Sequence, residues 1–312
     1  MYRTNQNQIM DLTKFFCEID DFCQDWLATF SSTLFPAQGN NLPKYCRMTL
    51  SEVMTIVIHF HQSRYRTFKD YYLNHVCKYL IDYFPNLVSY NRMVELMPNV
   101  LTACWAGDPP SCIYYLNSRR GQVTGISFVD STAIPVCHPK RISRNKVFKE
   151  TAQLSKSSMG WFYGFKLHLI INDSGEILNC QITPGNVDDR TNLSSMAQGI
   201  TGKMFGDRGY IKKELFEQLL SRGLQLVTPL KSNMINKLIP MNDKILLRKR
   251  SVIETVNDQL KNISYLVHSR HRSLHNFMLN LITALIAYTH QSKKPSLKLD
   301  EPAQNFFSIV PI

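Results

Sequence analysis

A chain of 312 residues with 44% hydrophobic composition is long enough for two compact units, each able to bury a core of its own. Its 36 Lys and Arg against 24 Asp and Glu leave a net charge of +12, which points to a polyanionic counterpart, nucleic acid before an anionic membrane. No stretch has the roughly 18 to 20 uninterrupted apolar residues of a membrane span, so a membrane partner is excluded in that form.

The start of the chain lacks the charged-then-apolar pattern of a signal peptide. The eight cysteines are scattered, without a Cys-x-x-Cys pair or a zinc-finger spacing. The expectation is a cytoplasmic, nucleoid-associated protein with reduced thiols.

Up to about residue 115 apolar residues recur at three- and four-residue intervals, and the first part of the chain is expected to be helical. Thr49-Leu-Ser-Glu52 has the form of a capping box, opening a helix through Val53, Ile56, Val57 and Phe60. Further helices are expected from Phe68 to Leu80 and from Ser89 to Trp105. Around the second of the three, His61, Arg64, Arg66, Lys69, His75 and Lys78 interleave with Tyr65, Tyr71 and Tyr72. That mixture suits phosphate contacts and groove insertion, although an ordinary solvated helix face has a similar composition. Asp108-Pro-Pro-Ser111 reads as a linker.

From about residue 122 the texture changes. Val123, Ile126, Phe128 and Val129 form a strand expected to end at Asp130. Tyr163 to Ile171 alternates as a strand, with Lys166 and His168 on one face. Asn172-Asp-Ser-Gly175 then reads as a hairpin-like turn leading to an antiparallel strand over Ile177 to Thr183. A helix from about Asp189, a strand Lys203 to Phe205, a helix Lys212 to Ser221, a strand Leu224 to Thr228 and two long helices, Arg248 to Tyr265 and Leu274 to His290, complete the order. This is the element order of an α/β, ribonuclease-H-like fold, a mixed five-stranded sheet with flanking helices, preceded by an all-α N-terminal domain. The expected divisions are a helical DNA-binding domain over 1–118, a catalytic domain over 119–292 and an irregular tail over 293–312.

Two aspartates stand at the ends of expected strands, Asp130 and Asp207, and Glu254 lies on a later helix. If the two strands are neighbours, both aspartates project from one edge, and a helix crossing that edge can deliver the glutamate. Three clustered carboxylates repel one another unless a divalent cation neutralises them, and hard oxygen donors favour magnesium or manganese. At about 100° per residue, Arg250, Glu254, Asp258 and Lys261 share a polar helix face, with Val252, Val256, Leu260 and Ile263 opposite. Arg250 and Lys261 can hold phosphates there, or can simply pair with Glu254 and Asp258 to stabilise the helix.

Four blocks, Phe128-Val-Asp130-Ser-Thr, Pro184-Gly-Asn-Val-Asp-Asp-Arg190, Phe205-Gly-Asp207-Arg-Gly-Tyr210 and Arg250-Ser-Val-Ile-Glu254-Thr-Val-Asn-Asp-Gln-Leu-Lys261, resemble the catalytic blocks of DDE transposases of bacterial insertion sequences, a branch of the retroviral-integrase-like superfamily. The resemblance extends to Ser89-Tyr-Asn-Arg-Met-Val-Glu-Leu-Met97 and Arg141-Ile-Ser-Arg-Asn-Lys-Val-Phe-Lys149 and is closest to insertion sequence family 982. It implies that Asp130, Asp207 and Glu254 are the catalytic, metal-binding triad, holding two Mg2+ or Mn2+ ions for in-line displacement at phosphorus. The Tyr often found three residues before the Arg of the related Arg-x-x-x-Glu signature is Leu247 here, which leaves the triad untouched.

The implied partners are double-stranded DNA, as transposon ends and as target, and a second copy of the chain in a DNA-bound homo-oligomer. Expected DNA contacts are Arg250, Lys261, Lys231, Arg208, Lys166 and the basic run Arg141, Arg144, Lys146 and Lys149, flanked by Lys140 and Lys156. Three other readings compete: a tyrosine recombinase, a ribonuclease-H-like nuclease that cuts without joining, and an inactive DNA-binding repressor. The first fails on spacing, because neither His268 nor His271 has an Arg three residues on and Tyr288 sits in an apolar helix.

Overall fold

The computed structural model describes residues 11–34, 47–102, 111–157, 159–230, 239–267 and 271–297. In chain order, α1 (Leu12–Leu34), α2 (Leu50–Phe60), α3 (Phe68–Tyr71), a π-helical turn (Tyr72–Val76), α4 (Cys77–Tyr79), α5 (Tyr90–Thr102) and α6 (Ser111–Ser118) come first. They are followed by β1 (Ile126–Cys137), a 3-10 turn (Pro139–Arg144), β2 (Gln153–Ser157), β3 (Gly160–Asn172), β4 (Ile177–Pro184), α7 (Leu193–Met196) and β5 (Gly202–Phe205). A second 3-10 turn (Arg208–Tyr210), α8 (Lys213–Leu220), β6 (Leu224–Val227), α9 (Met241–Lys249), α10 (Ser251–Asn262) and α11 (Leu274–Thr289) complete the order.

Two compact units result. In the first, the capping box of α2 forms as expected: Glu52 N donates to Thr49 Oγ1 at 3.2 Å, and Thr49 N donates to the Glu52 carboxylate at 2.6 Å. These bonds satisfy backbone donors that a helix start leaves without partners. The helix expected over Phe68 to Leu80 is interrupted by the π turn. Tyr71 and Tyr72 there are core residues, whereas Arg64, Arg66, Lys69 and Lys78 are exposed.

The first unit also holds α11, contrary to the expected catalytic domain over 119–292. The helix is apolar nearly all round, with Leu279, Leu281, Leu285 and Ile286 buried, so it needs helical neighbours on several sides. Helices α2, α5 and α6 supply them. Buried His61 anchors this packing, its Nδ1 against the Ser264 carbonyl at 2.6 Å and its Nε2 against Thr283 Oγ1 at 3.0 Å.

The second unit is built on a six-stranded sheet in the order β2-β3-β1-β5-β6, with β4 also paired to β3. Strand β1 runs antiparallel to β3 and parallel to β5, and β5 runs parallel to β6. This is the mixed sheet of a ribonuclease-H-like fold, with β2 as a short strand beyond the five expected. The turn at Asn172 to Gly175 forms as read: Asn172 Oδ1 accepts from Ser174 N and Glu176 N, and Gly175 supplies the left-handed residue at φ 75°. Tyr210 lies with Val129, Ile170, Met204, Leu215 and Leu219 in a hydrophobic cluster of this unit.

Two boundaries differ from expectation. Strand β1 does not stop at Asp130 but continues to Cys137, because β3 partners it as far as the Cys137–Tyr163 pair. The helix expected from Arg248 to Tyr265 is divided at Arg250 into α9 and α10. Helix α9 places Asp243, which is buried, 2.8 Å from Lys203 Nζ on β5.

Candidate active site

The register of the parallel pair positions the first two acids. Phe128 on β1 lies directly opposite Phe205 on β5, their rings 5.7 Å apart, and this is the last pair before the two strands part. Asp130 and Asp207 each follow two residues later on strands running in the same direction. Equal offset from one paired position sends both to the same end of the β1–β5 seam. Beyond it, Asp207 caps the short 3-10 turn, its Oδ1 accepting from Gly209 N at 2.9 Å.

Helix α10 brings the third acid. Its buried side is Val252, Ile253, Val256 and Leu260, which packs the helix into the unit, while Glu254 is exposed. Ile263, expected to extend the apolar face, is itself exposed. Between the acids stands Arg250: its guanidinium donates to Glu254 Oε1 at 2.6 Å and lies 3.8 Å from Asp130 Oδ1. Of the two ion pairs considered for this helix, Arg250 with Glu254 therefore forms, whereas Asp258 accepts instead from Asn262 at 2.6 Å.

Burial is the main cause that pushes the Asp130 carboxyl up to about 6; Arg250 opposes the rise and Asp207 and Glu254 add to it. Asp207 and Glu254 therefore both lie within electrostatic reach of Asp130. Burial likewise lowers the Lys261 ammonium, against the pull of Asp130 and Asp258, which places Lys261 in the same field.

The donor set suits a hard divalent cation, since it consists of carboxylate oxygens and is crossed by a guanidinium where a positive charge belongs. Among the described residues no three His, Cys, Asp or Glu side chains converge into a ready metal cluster. With Arg250 between Asp130 and Glu254, ion binding at all three carboxylates requires that side chain to swing aside.

The other expected contacts divide into groups. Arg208, Arg141, Arg144, Lys146 and Lys149 are exposed, as are Lys140 and Lys156. Arg141, Arg144 and Lys146 line an open depression together with Cys137, Asn145 and Val147. Lys231 lies outside the described residues.

Lys166 is placed otherwise than its expected role requires. Its strand faces His168 to Ser131 and Lys166 to Ala133, so both side chains lie on the face of the sheet opposite Asp130. Lys166 Nζ is held by Asp189 Oδ1 at 2.9 Å and the Val187 carbonyl at 3.0 Å, and His168 Nε2 is 2.8 Å from Thr183 Oγ1. Burial pushes the His168 imidazole down, as befits a structural histidine.

Two residues near the acids have no expected role of their own, although each falls within one of the four transposase-like blocks. Tyr210 is buried, and burial, with Asp189, Asp130 and Asp207 adding to it, raises its hydroxyl far above the ordinary phenol range. Asn257, also buried, donates from Nδ2 to Asp130 Oδ2 at 3.0 Å.

The sheet order, with Asp130 and Asp207 at one end of the β1–β5 seam, is that of an α/β protein of the ribonuclease-H-like class. Within that class, a family model described as a transposase DDE domain matches residues 120–274. Residues 120–274 thus carry a DDE-type transposase domain.

No curated protein matches the chain. Among solved structures it is similar to a piggyBac transposase synaptic complex with hairpin DNA, at 10% identity and a TM-score of 0.47, over 98% of this chain and 80% of that one. It is also similar to a Mos1 strand transfer complex, at 12% identity and a TM-score of 0.23 over 86% and 84% of the two chains. A Mos1 paired-end complex with the left transposon end aligns at 11% identity and a TM-score of 0.23, over 88% of each chain.

Proposed function

We propose that the chain is the transposase of an insertion sequence, of the kind grouped as family 982, and that it binds the terminal inverted repeats, cleaves there and joins the 3′-OH ends to target DNA. The observation that carries this reading is the pair Asp130 and Asp207, set at equal offset on neighbouring parallel strands, with Glu254 linked to Asp130 through Arg250. Asp130, Asp207 and Glu254 are the catalytic carboxylates and would hold two Mg2+ or Mn2+ ions. When bound, such ions activate the attacking oxygen and stabilise the leaving one.

In cleavage a water oxygen bonds to phosphorus and the bond to the 3′ oxygen breaks, leaving a 3′-OH. In joining, that hydroxyl attacks a target phosphodiester and the target's own 3′ oxygen departs. No covalent bond to the protein is needed. Arg250 and Lys261, beside the acids, hold the phosphates on either side of the reacting one. Arg208 and the basic run from Arg141 to Lys149 extend the contact along the backbone, and the helical N-terminal unit reads the element end. Holding two ends together requires a homo-oligomer on DNA. The protein acts in the cytoplasm at the nucleoid, where its DNA substrates lie.

The test is incubation of the purified chain with labelled duplex from the DNA flanking its gene and a target plasmid, with Mg2+ or Mn2+ and with chelator as control. Metal-dependent joined products, lost in D130N, D207N and E254Q, are expected. Hydrolysed ends without joining would replace this reading with a nuclease, and end binding without cleavage would replace it with a repressor.

A further inference from the structure

The buried side of α10 is apolar at Val252, Ile253, Val256 and Leu260 and polar at one place, Asn257. Burying an amide among such neighbours is costly unless it is hydrogen-bonded, and a Leu there would serve packing better. Asn257 makes one side-chain hydrogen bond, Nδ2 to Asp130 Oδ2 at 3.0 Å, and its Oδ1 is buried without a partner among the described residues. A carboxylate only accepts, so the amide must face Asp130 with its N–H, and its orientation follows from that contact alone. Nothing in the packing of α10 explains a polar side chain at this position; the contact with Asp130 does.

We infer that Asn257 is a positioning residue for Asp130, holding one carboxylate oxygen by its amide N–H so that the other is presented to the divalent ion. The inference rests on the proposed assignment of Asp130 as a metal ligand. Asn257 thereby ties helix α10, the carrier of Glu254, to strand β1, the carrier of Asp130, and sets the spacing between two of the three acids. Arg250 approaches the opposite oxygen, Oδ1, at 3.8 Å, so when that guanidinium leaves, the oxygen it faces becomes free while Asn257 still restrains its twin.

The experiment follows the rise in melting temperature of the full chain, without DNA, as Mn2+ is added to millimolar levels, since an ion that binds only the folded state raises it by mass action. The variants are N257A, N257L and, as reference, E254Q. Loss of a group that orients a metal ligand weakens metal affinity by about 10- to 100-fold. N257L should therefore need at least about tenfold more Mn2+ for the same rise, with each variant's rise read from its own melting temperature in chelator. N257A should show the same shift in Mn2+ demand, and in strand cleavage both should raise the half-saturating metal concentration more than they lower the rate at saturating metal.

An N257L protein with parental Mn2+ response, alongside an E254Q protein that has lost it, would overturn the positioning role and leave the triad standing. A parental chain without any Mn2+ response, or an E254Q protein with a full one, would overturn the triad and the inference with it.

Discussion

Arg250 and Glu254, one helical turn apart, are joined by a 2.6 Å ion pair, and the same guanidinium stands 3.8 Å from Asp130 on the central strand. A single cation thus bridges two acids that are far apart in sequence and brought together by the fold. Exposed pairs of this i,i+4 kind are worth only a few tenths of a kcal/mol in an isolated helix, so stability alone is a weak reason for the arrangement. On the proposed function its place between carboxylates is the stronger one, because DNA phosphate and divalent ions would compete for the same partners.

Substituting Arg250 should therefore be felt in DNA binding. R250A is expected to weaken binding and to reduce the slope of log affinity against log salt by about one, the mark of a lost phosphate contact. R250K should restore the charge without the two-pronged geometry and recover binding only in part. An unchanged salt slope in R250A, measured by fluorescence anisotropy, would assign Arg250 a purely intramolecular role.

For the triad, D130N, D207N and E254Q each remove one anionic oxygen donor while preserving shape. Cleavage and joining should fall by at least about a thousandfold, a loss on the scale of disabling a central catalytic group. DNA binding should stay within a few-fold of the parent or tighten, since negative charge beside the phosphates has been removed. Cleavage at parental rates in any of the three would remove that residue from the site.

The raised Asp130 carboxyl makes a statement about pH. At about 6 in the folded chain against 3.8 ordinarily, it keeps its proton over a range in which the unfolded chain has lost it. Its contribution to stability is full below about pH 4 and is lost as pH rises towards and through about 6. Metal-free D130N should accordingly gain in melting temperature relative to the parent between pH 4 and 7, and parallel curves would contradict the shift. Stabilisation by Mn2+ should run the other way, growing as pH rises through about 6, because the proton and the ion compete for one carboxylate.

Away from the acids, Asp243 is buried against Lys203, itself about a quarter exposed, at 2.8 Å. D243A leaves the ammonium without its partner and should cost about 2 to 4 kcal/mol in urea unfolding, the scale of breaking a largely buried pair after allowance for solvent at Lys203. At the start of β5, Gly202 has φ +96°, and a Cβ there would come within 2.2 Å of the Gly125 carbonyl oxygen. G202A should destabilise by more than the roughly 1 kcal/mol of a strained left-handed residue, because β1 and β5 must also move apart. A loss below about 0.5 kcal/mol in either variant, small even for a surface substitution, would show that its contact is dispensable.

Local pattern carried much of the fold. Alternation over Tyr163 to Ile171, the turn at Asn172 to Gly175 and the capping box at Thr49 and Glu52 are read from neighbours within a few residues, and each forms where expected. The limits of the elements were less legible. Strand β1 runs past Asp130 because β3 pairs with it there, and α11 packs with the first unit because that is where helices surround an all-apolar helix. Neither partner can be seen from within the segment itself.

The chain's own residue order determined which acids to consider, Asp130, Asp207 and Glu254, because motif spacing and strand ends are properties of short segments. Only the tertiary structure decided what stands around them. Lys166 falls on the far face because β3 pairs with β1 in one register, Arg250 lies between two acids because α10 crosses the seam, and Asn257 meets Asp130 across 127 residues of chain. Such relations depend on which surfaces are buried against each other, and that is settled by the packing of the whole unit rather than by any stretch of the sequence.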